Sequence, residues 1–292
     1  MVIGGYARLT VPAEAALSGF LPDECQSELR APLLRMDRLC GLSVVVAARL
    51  FAEQPGLRDG VSGDEVAVVV GSAHGCHKTD EEYYRSYLHG QPSPRLFAYT
   101  LPSSPGGELS ILYRLRGPGL MVSMGRTSGL AALIEAELLL RTNQAAACLV
   151  VAVEVAQPLF GEPAVADAAV ALWLTRASTD VSARSLGTIS SLAESFCGQQ
   201  GAEALRRVLP AQTGTTTETI LCDDETLSLV GAVLPIERLR SLPAPGGAVA
   251  GLWLFGEVLS VAAPSAVLAC VDATGMAAAA RLVPATSVSA RL

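Results

Sequence analysis

The chain has 292 residues, of which 50% are hydrophobic and 17% charged, and its formal net charge is −7. This composition predicts a large buried core, and the acidic balance with scattered arginines argues against a nucleic-acid partner. No apolar run is long enough to span a bilayer and the first residues lack a basic leader region, so we expect a cytoplasmic protein without a membrane partner.

Strands and helices alternate through the first part of the chain. Residues 65–71 (EVAVVVG) are apolar without alternation, which indicates a strand buried on both faces, and a polar helix capped by Thr79 follows. The predicted elements are a first or edge strand at 1–8, a loop and short helix at 11–20, a packed helix at 32–51, the strand at 65–71, the polar helix at 79–89, a Pro- and Ser-rich connection at 91–107 and a helix at 108–115.

Residues 117–154 predict a strand–turn–helix–strand unit, with the strand at 120–123, the turn at 124–129 and a buried strand at 146–154. An elbow of this kind lifts one side chain to the top of a sheet and directs a helix N-terminus at it, the arrangement that activates a nucleophile. Here the side chain at the tip is Arg126. The helix is predicted to bury the face that carries Leu130, Leu133, Ile134 and Leu138.

The second half repeats the alternation more loosely. Its predicted elements are a strand at 165–175, mostly helix at 191–209, a strand at 218–222, an apolar helix at 247–263 and a terminal hairpin of 266–272 with 277–283. The order of elements predicts an α/β fold. We expect a single compact domain over residues 1–292, built from two αβ halves at 1–160 and 161–292.

The positions of cysteine, histidine and lysine limit the chemistry. The seven cysteines show no C-x-x-C spacing, so they are interpreted as reduced, buried thiols. All three histidines and the single lysine, Lys78, precede residue 90, and the rest of the chain contains neither residue type. The cluster of His74, Cys76 and His77 has poor spacing for one shared ion and lacks an evident fourth ligand, so we predict no metal site.

Five segments resemble, in order and spacing, the N-terminal half of a β-ketoacyl synthase. They are MVIGGYARLTVP, RMDRLCGLSVVVAARLF, VAVVVGSAHG, FAYTLPSSPGGELSILYRLRGPG and the elbow VSMGRTSGLAALIEAELLLR. The resemblance is specific to about residue 155 and holds only in outline afterwards. It implies a thiolase-like layered α-β-α-β-α fold, truncated relative to full ketosynthases.

Carried onto this chain, the resemblance places the family's active-site cysteine at Arg126. The first family histidine falls just beyond a strand near Cys222, where residues 223–225 are Asp-Asp-Glu, the second falls at about Pro245, and the lysine between them has no counterpart. Decarboxylative condensation needs a low-pKa thiolate and polarised donors for the developing enolate. Arg126 cannot act as the nucleophile, because its guanidinium stays protonated.

The resemblance therefore implies a non-condensing subunit like a chain-length factor, which also lacks the cysteine. Such a subunit, without catalytic activity alone, would pair with a catalytic ketosynthase in type II polyketide, polyene or fatty-acid-like biosynthesis and shape its acyl tunnel. Acyl carrier protein is a further expected partner, and no cofactor is expected. In the family, the strand leading into the elbow lies at the dimer interface. The candidate tunnel or interface residues are Pro105, Ser123, Met124, Arg126, Thr127 and Ser128.

Two other functions stay open at this point. One is an acyltransferase or thioesterase-like enzyme that uses the inherited pocket, and the other is a homodimeric scaffold. Arg126 either contacts a carrier arm, a partner loop or a carboxylate, or has a structural role in which an acid such as Glu154 or Glu108 holds the site shut; we favour the second, because burying an unpaired guanidinium is costly. Ser123 and Ser128 are interpreted as structural hydroxyls, since GRTSG lacks the G-x-S-x-G pattern.

Overall fold

The computed structural model describes residues 1–156, 167–176, 185–198, 200–212, 219–230, 239–260 and 265–285. The strands are β1 (Val2–Val11), β2 (Val66–Gly71), β3 (Gly119–Val122), β4 (Ala147–Glu154), β5 (Asp167–Thr175), β6 (Gly187–Phe196), β7 (Ile220–Cys222), β8 (Leu239–Ser241), β9 (Ala266–Val271) and β10 (Met276–Pro284). The helices are α1 (Gln26–Leu33), α2 (Arg38–Glu53), α3 (His77–Leu88), α4 (Pro94–Phe97), α5 (Ser104–Tyr113), α6 (Ser128–Arg141), α7 (Gly201–Gln212), α8 (Asp224–Val230) and α9 (Val249–Ser260).

The described strands form one mixed sheet in the order β3-β2-β4-β5-β1-β6-β10-β9-β7-β8. The order of the last five strands mirrors that of the first five. The two sets meet where β1 and β6 pair antiparallel, through Val2 with Thr188 and Ile3 with Gly187. In this order β3, the strand that leads into the elbow, lies at one edge and pairs with β2 alone among the described strands.

Alternate side chains along the strands build separate cores, because successive residues of a strand point to opposite faces. On β4, Cys148 and Val150 pack in one core with α6 and α9, whereas Leu149 and Val151 pack in another with α2 and α5. Strands β9 and β10 divide in the same way between the α6 and α9 core and a third core that contains α7. The two strand sets therefore act as two β layers, with α6 and α9 between them, α2 and α5 outside the first set and α7 outside the second. This confirms the predicted layered α-β-α-β-α arrangement.

Several early elements differ from the sequence prediction in position or extent; one is α5, which begins at Ser104 and not at residue 108. Strand β1 lies inside the sheet, so the edge-strand alternative is wrong and the first-strand alternative holds. The helix predicted from residue 32 begins at Arg38, because Asp37 caps it by accepting a hydrogen bond from the Cys40 N–H at 2.9 Å. The polar helix begins at His77 rather than at a Thr79 cap; Thr79 is buried, and its hydroxyl donates to Asp37 Oδ2 at 2.6 Å.

The second half contains the largest error. Residues 191–209 were predicted to be mostly helix, but β6 extends to Phe196 and the helix begins only at Gly201. Pairing with β10 along the full length of β6 overrides the local pattern. The terminal hairpin is confirmed, since β9 and β10 pair antiparallel. The predicted strand starts at 165 and 218, the helix end at 263 and the division at residue 160 lie outside the described residues.

None of the described helices is both long and apolar enough to cross a membrane.

Candidate functional site

The predicted elbow is formed by residues 123–127, between the end of β3 and the start of α6. Gly125 adopts φ +55°, and a Cβ at this position would lie 2.1 Å from Asp272 Oδ2, so the turn requires glycine. Three hydrogen bonds close the turn: the Met124 N–H donates to Ser128 Oγ at 2.8 Å, the Ser128 hydroxyl donates to the Gly125 carbonyl at 2.6 Å, and the Thr127 hydroxyl donates to the Met124 carbonyl at 2.8 Å.

Arg126 is held at the tip by acids of the second half of the chain. Its guanidinium pairs with Asp223 and with Glu225, and its side chain is only 12% exposed. Its backbone N–H donates to Asp272 Oδ2 at 2.9 Å, and the Cys270 thiol donates to its carbonyl at 3.3 Å. The structural pairing predicted for this arginine is present, with different partners.

The predicted partners Glu154 and Glu108 were wrong, because both are engaged elsewhere. Glu108 accepts a hydrogen bond from the Tyr99 hydroxyl at 2.9 Å. Glu154 is 1% exposed and accepts hydrogen bonds from the backbone N–H groups of Ala73 at 2.9 Å and Ala248 at 3.3 Å. The mirrored strand order brings the ends of β7 and β9, with their following acids, to the elbow, which no local sequence pattern could indicate.

The charges around the elbow stabilise the cationic form of the arginine. Burial alone would lower the pKa of Arg126, but the thiolate that Cys270 forms only at high pH and the carboxylates of Asp223 and Glu225 raise it above its ordinary value. Burial raises the pKa of the Cys270 thiol to about 12, so this cysteine stays protonated at neutral pH and supplies no thiolate.

The remaining elbow candidates have their polar groups in use by the backbone. Ser128 and Thr127 are buried, and both hydroxyls bond within the turn. Ser123 is exposed, and its hydroxyl donates to the Ala73 carbonyl at 3.4 Å. Met124 is half-buried beside it, and Pro105 is buried in the first turn of α5. The structure thus brings the serines, Met124 and Arg126 together, while their functional roles stay predictions.

A second turn with a related geometry precedes α9, near the residue where the resemblance places the second family histidine. Pro245 lies there, half-buried, followed by Gly247 with φ +68° and the Ala248 N–H that bonds to Glu154. A Cβ at Gly247 would lie 2.7 Å from Glu154 Cγ. Sequence reasoning missed Glu154 and Asp272 as the acids that hold the two turns. The available signal was an acid directly after an apolar strand, in ACLVVAVE and AVLACVD.

The residues considered for metal binding point to separate partners. His74 Nδ1 lies 2.9 Å from Glu154 Oε1, and the Cys76 thiol donates to the Thr100 carbonyl at 3.3 Å. His77 is exposed at the start of α3. In the part of the chain that the structure describes, no group of three or more His, Cys, Asp and Glu side chains is placed to hold a metal ion.

Comparison with known families gives a match over the first half of the chain. A family model described as the beta-ketoacyl synthase N-terminal domain matches residues 18–166. No curated protein matches the sequence.

Three solved structures are similar over nearly the whole chain. The ishigamide ketosynthase/chain length factor has a TM-score of 0.77 at 20% identity, covering 97% of this chain and 99% of that chain. A type II polyketide synthase acyl-carrier protein in complex with its ketosynthase bound to the hexaketide has a TM-score of 0.73 at 11% identity, with coverages of 97% and 99%. A beta-ketoacyl synthase from Burkholderia phymatum STM815 has a TM-score of 0.69 at 13% identity, with the same coverages. At these identities the likeness concerns the fold, and it confirms the predicted thiolase-like architecture.

Proposed function

The chain belongs to the β-ketoacyl synthase family, and from this premise we propose that it is a non-condensing subunit that pairs with a catalytic ketosynthase and helps to shape its acyl tunnel. The observation that carries the proposal is the ion pair between Arg126 and Asp223. The first residue stands where the resemblance places the family's nucleophilic cysteine, and the second where it places a histidine. A guanidinium cannot carry an acyl group as a thioester, and a carboxylate cannot donate the hydrogen bonds of an imidazole.

The other family positions point in the same direction. Pro245 stands at the second histidine position, and the sequence from residue 90 onward contains neither histidine nor lysine. The thiol nearest to the elbow in the described structure, Cys270, keeps a high pKa. The elbow therefore lacks the family's thiolate for the acyl-enzyme and the family's histidine and lysine donors for a malonyl carbonyl.

The elbow charges favour an architectural role for this site. Arg126 fills the nucleophile position, and its two acid partners, Asp223 and Glu225, tie the tip of the elbow to the second half of the chain. A thiolate with an imidazolium would place the negative charge at the nucleophile position and the positive charge at the histidine position. Here the positive charge is on Arg126 and the negative charge on Asp223, and the ion pair still joins the two positions. We propose that it keeps the site closed and rigid, so that the subunit supplies a wall to the partner's tunnel.

The proposed partner surface centres on β3. This edge strand has one side without a strand neighbour among the described residues, and Leu120 on it is 37% exposed. An exposed edge strand presents unpaired backbone groups that can pair with another chain. The named complexes among the similar structures, one a ketosynthase/chain length factor and one a ketosynthase with its acyl-carrier protein, support a ketosynthase partner by analogy of fold.

Exposed apolar side chains of another region form a second candidate interaction surface. They lie on α3, on α4 and just after α4, where Tyr83 and Phe97 bring α3 and α4 together with ring centroids 5.5 Å apart. A group of large exposed apolar residues on neighbouring helices is typical of an interaction surface. In this region, the large apolar residues that are at least 60% exposed are Tyr84, Tyr87, Leu88, Phe97 and Leu101. Pro105, Ser123 and Met124 remain our proposed tunnel or interface residues.

The test is co-expression with a candidate catalytic ketosynthase, followed by size-exclusion chromatography with mass detection and a condensation assay of the pair and of each part alone. We expect a mixed dimer whose product depends on this chain, and no condensation by this chain alone. Leu120→Arg should abolish the mixed dimer. The control is Leu229→Arg on α8. Leu229 is 38% exposed, close to the exposure of Leu120, and α8 packs on α7, β8 and β9 of the second strand set, away from β3.

Two results would contradict the proposal. One is a stable homodimer that neither binds a ketosynthase nor changes its product. The other is that the isolated chain hydrolyses acyl thioesters or catalyses condensation, and that Arg126→Met removes this activity.

A further inference from the structure

A cavity of about 330 Å³ lies away from the elbow tip, between the start of α2 and helices α3 and α4. Its volume falls in the range of small-molecule pockets. Much of its wall is apolar, from side chains of several elements. The larger apolar side chains of the lining include Leu17, Leu33, Met36, Leu39, Leu96 and Val155.

Most of the charged groups in this wall are already satisfied by the protein. The Arg38 guanidinium bonds to Asp167 Oδ2 at 2.5 Å and to the carbonyls of Ala15 and Pro12 at 2.5 and 2.8 Å. Asp37 accepts from the Cys40 N–H and the Thr79 hydroxyl. These groups therefore shape the wall and have little capacity left for a ligand.

Glu154 and His74 form a second satisfied pair at the bottom of the wall. Glu154 Oε1 lies 2.9 Å from His74 Nδ1, and Oε2 accepts from the Ala73 and Ala248 N–H groups. A buried carboxylate with this many donors has its charge compensated internally. It joins the cavity wall to the turn before α9, and its own carboxylate is not an unpaired anion facing the cavity.

The cations that remain are Lys78 and Arg95. Neither has an ion pair or hydrogen bond from its side chain within the described residues. Lys78 is half-buried in α3 and is the single lysine of the chain, while Arg95 is exposed on α4. A half-buried ammonium beside an apolar wall favours an anion that brings its own apolar surface, because both are then removed from water together.

We propose that this cavity binds a medium-chain fatty carboxylate, with its carboxylate on Lys78 and its hydrocarbon chain against Leu33, Leu39 and Leu96. A single negative charge matches the site better than a phosphate dianion, because Glu82 lies in the same wall one helical turn after Lys78 and repels additional negative charge. The inference goes beyond the proposed function, since it concerns a second site and does not depend on whether the elbow condenses acyl groups.

The experiment is isothermal titration calorimetry of the full chain with octanoate, and with 1-octanol and inorganic phosphate as comparison probes. We expect saturable octanoate binding, weaker octanol binding and no competition by phosphate. Lys78→Met should weaken octanoate binding by about tenfold or more, the scale of a charge-assisted hydrogen bond. The matched control is Arg85→Met on the same helix, because Arg85 is exposed and pairs with Glu81 at 2.6 Å outside the cavity.

A second variant keeps the test decisive if Lys78→Met fails to fold. Leu96 is half-buried in the cavity wall, so Leu96→Trp should fill the space for the hydrocarbon chain and weaken octanoate binding without removing a charge. The proposal is overturned if the unmodified chain does not bind octanoate. It is also overturned if octanol binds as tightly, if phosphate displaces octanoate, or if Lys78→Met and Arg85→Met have equal effects.

Discussion

The ion pair at the elbow gives the sharpest test of the structural role of Arg126. Asp223 directly precedes α8 and accepts a hydrogen bond from the Thr226 N–H at 2.9 Å, the geometry of a helix N-cap. Asparagine caps a helix as well as aspartate does, so Asp223→Asn keeps the cap, removes the charge and places an amide N–H₂ where Oδ2 accepted from the Arg126 guanidinium. Glu225→Gln removes the second acid partner, and Arg126→Met keeps the aliphatic stem while removing the cation.

The burial of the two acids sets the expected magnitudes. Breaking a buried ion pair costs about 3–5 kcal/mol; with Glu225 still in place, we expect Asp223→Asn to lower the free energy of unfolding by roughly 2 kcal/mol. Glu225 is 53% exposed, compared with 7% for Asp223, so solvent screens its pair and Glu225→Gln should cost less than about 1 kcal/mol. For a chain of this size, the first change corresponds to a fall in Tm of roughly 3 °C.

The assay is thermal and urea unfolding of the single variants and of Arg126→Met combined with Asp223→Asn. The double variant should be more stable than the sum of the two single losses predicts, by about 1–2 kcal/mol, because it leaves neither charge buried alone. The reasoning is refuted if the two losses are additive, or if Glu225→Gln costs as much as Asp223→Asn.

Further predictions concern the acids and glycines that hold the helices. Glu154→Gln should lower the free energy of unfolding by about 3 kcal/mol in urea, because the new amide N–H₂ faces backbone donors; an unchanged midpoint would contradict this. Gly129→Ala should destabilise the fold strongly, since its Cβ would lie 2.3 Å from the Ala248 carbonyl oxygen. Gly107→Ala in α5, where a Cβ would meet nothing within 4 Å, should stabilise the fold by about 0.5–1 kcal/mol. Equal shifts in Tm for the two variants would show that Gly129 is not in close contact with Ala248. Burial would raise the pKa of Asp272, but hydrogen bonds from backbone N–H groups lower it below the ordinary 3.8. The contribution of the Asp272 carboxylate to stability should therefore be complete above pH 3.8 and disappear as the pH falls through the folded-state pKa. The loss of unfolding free energy caused by Asp272→Asn should then shrink in acid. A loss that does not change with pH would contradict the assignment.

The sequence predicts the elements whose pattern is local. Continuous apolar runs identify β2 and β4, and the small-residue turn after β3 identifies the elbow. Strand β6 was missed because its sequence, GTISSLAESF, has no clear period. Its conformation is set by pairing with β10, whose Met276 pairs with Phe196 from eighty positions later in the chain. Long-range pairing of this kind leaves no signal within a local window.

The candidate site, like the fold, could be predicted from the sequence only in part. Arg126 and the acids at 223–225 were identifiable from the resemblance and from the distribution of residue types. Their mutual pairing was not, because it depends on how the second set of strands is placed against the first. The same limit applies to the contact between Arg126 and Asp272 across 146 positions of the sequence.

The two turns that precede the central helices are held reciprocally. Asp272, at the end of β9, accepts from the Arg126 N–H in the turn before α6, and Glu154, at the end of β4, accepts from the Ala248 N–H in the turn before α9. In each turn a glycine with positive φ comes directly before the donor and leaves room for the carboxylate. Strands β4 and β9 occupy equivalent places in the mirrored order, so each half of the fold fixes the elbow of the other. This scaffold depends on backbone donors and two carboxylates, and not on the identity of the side chain at the tip. The nucleophile position can therefore hold an arginine while the elbow keeps its shape, which is the property that a tunnel-shaping subunit without condensing chemistry requires.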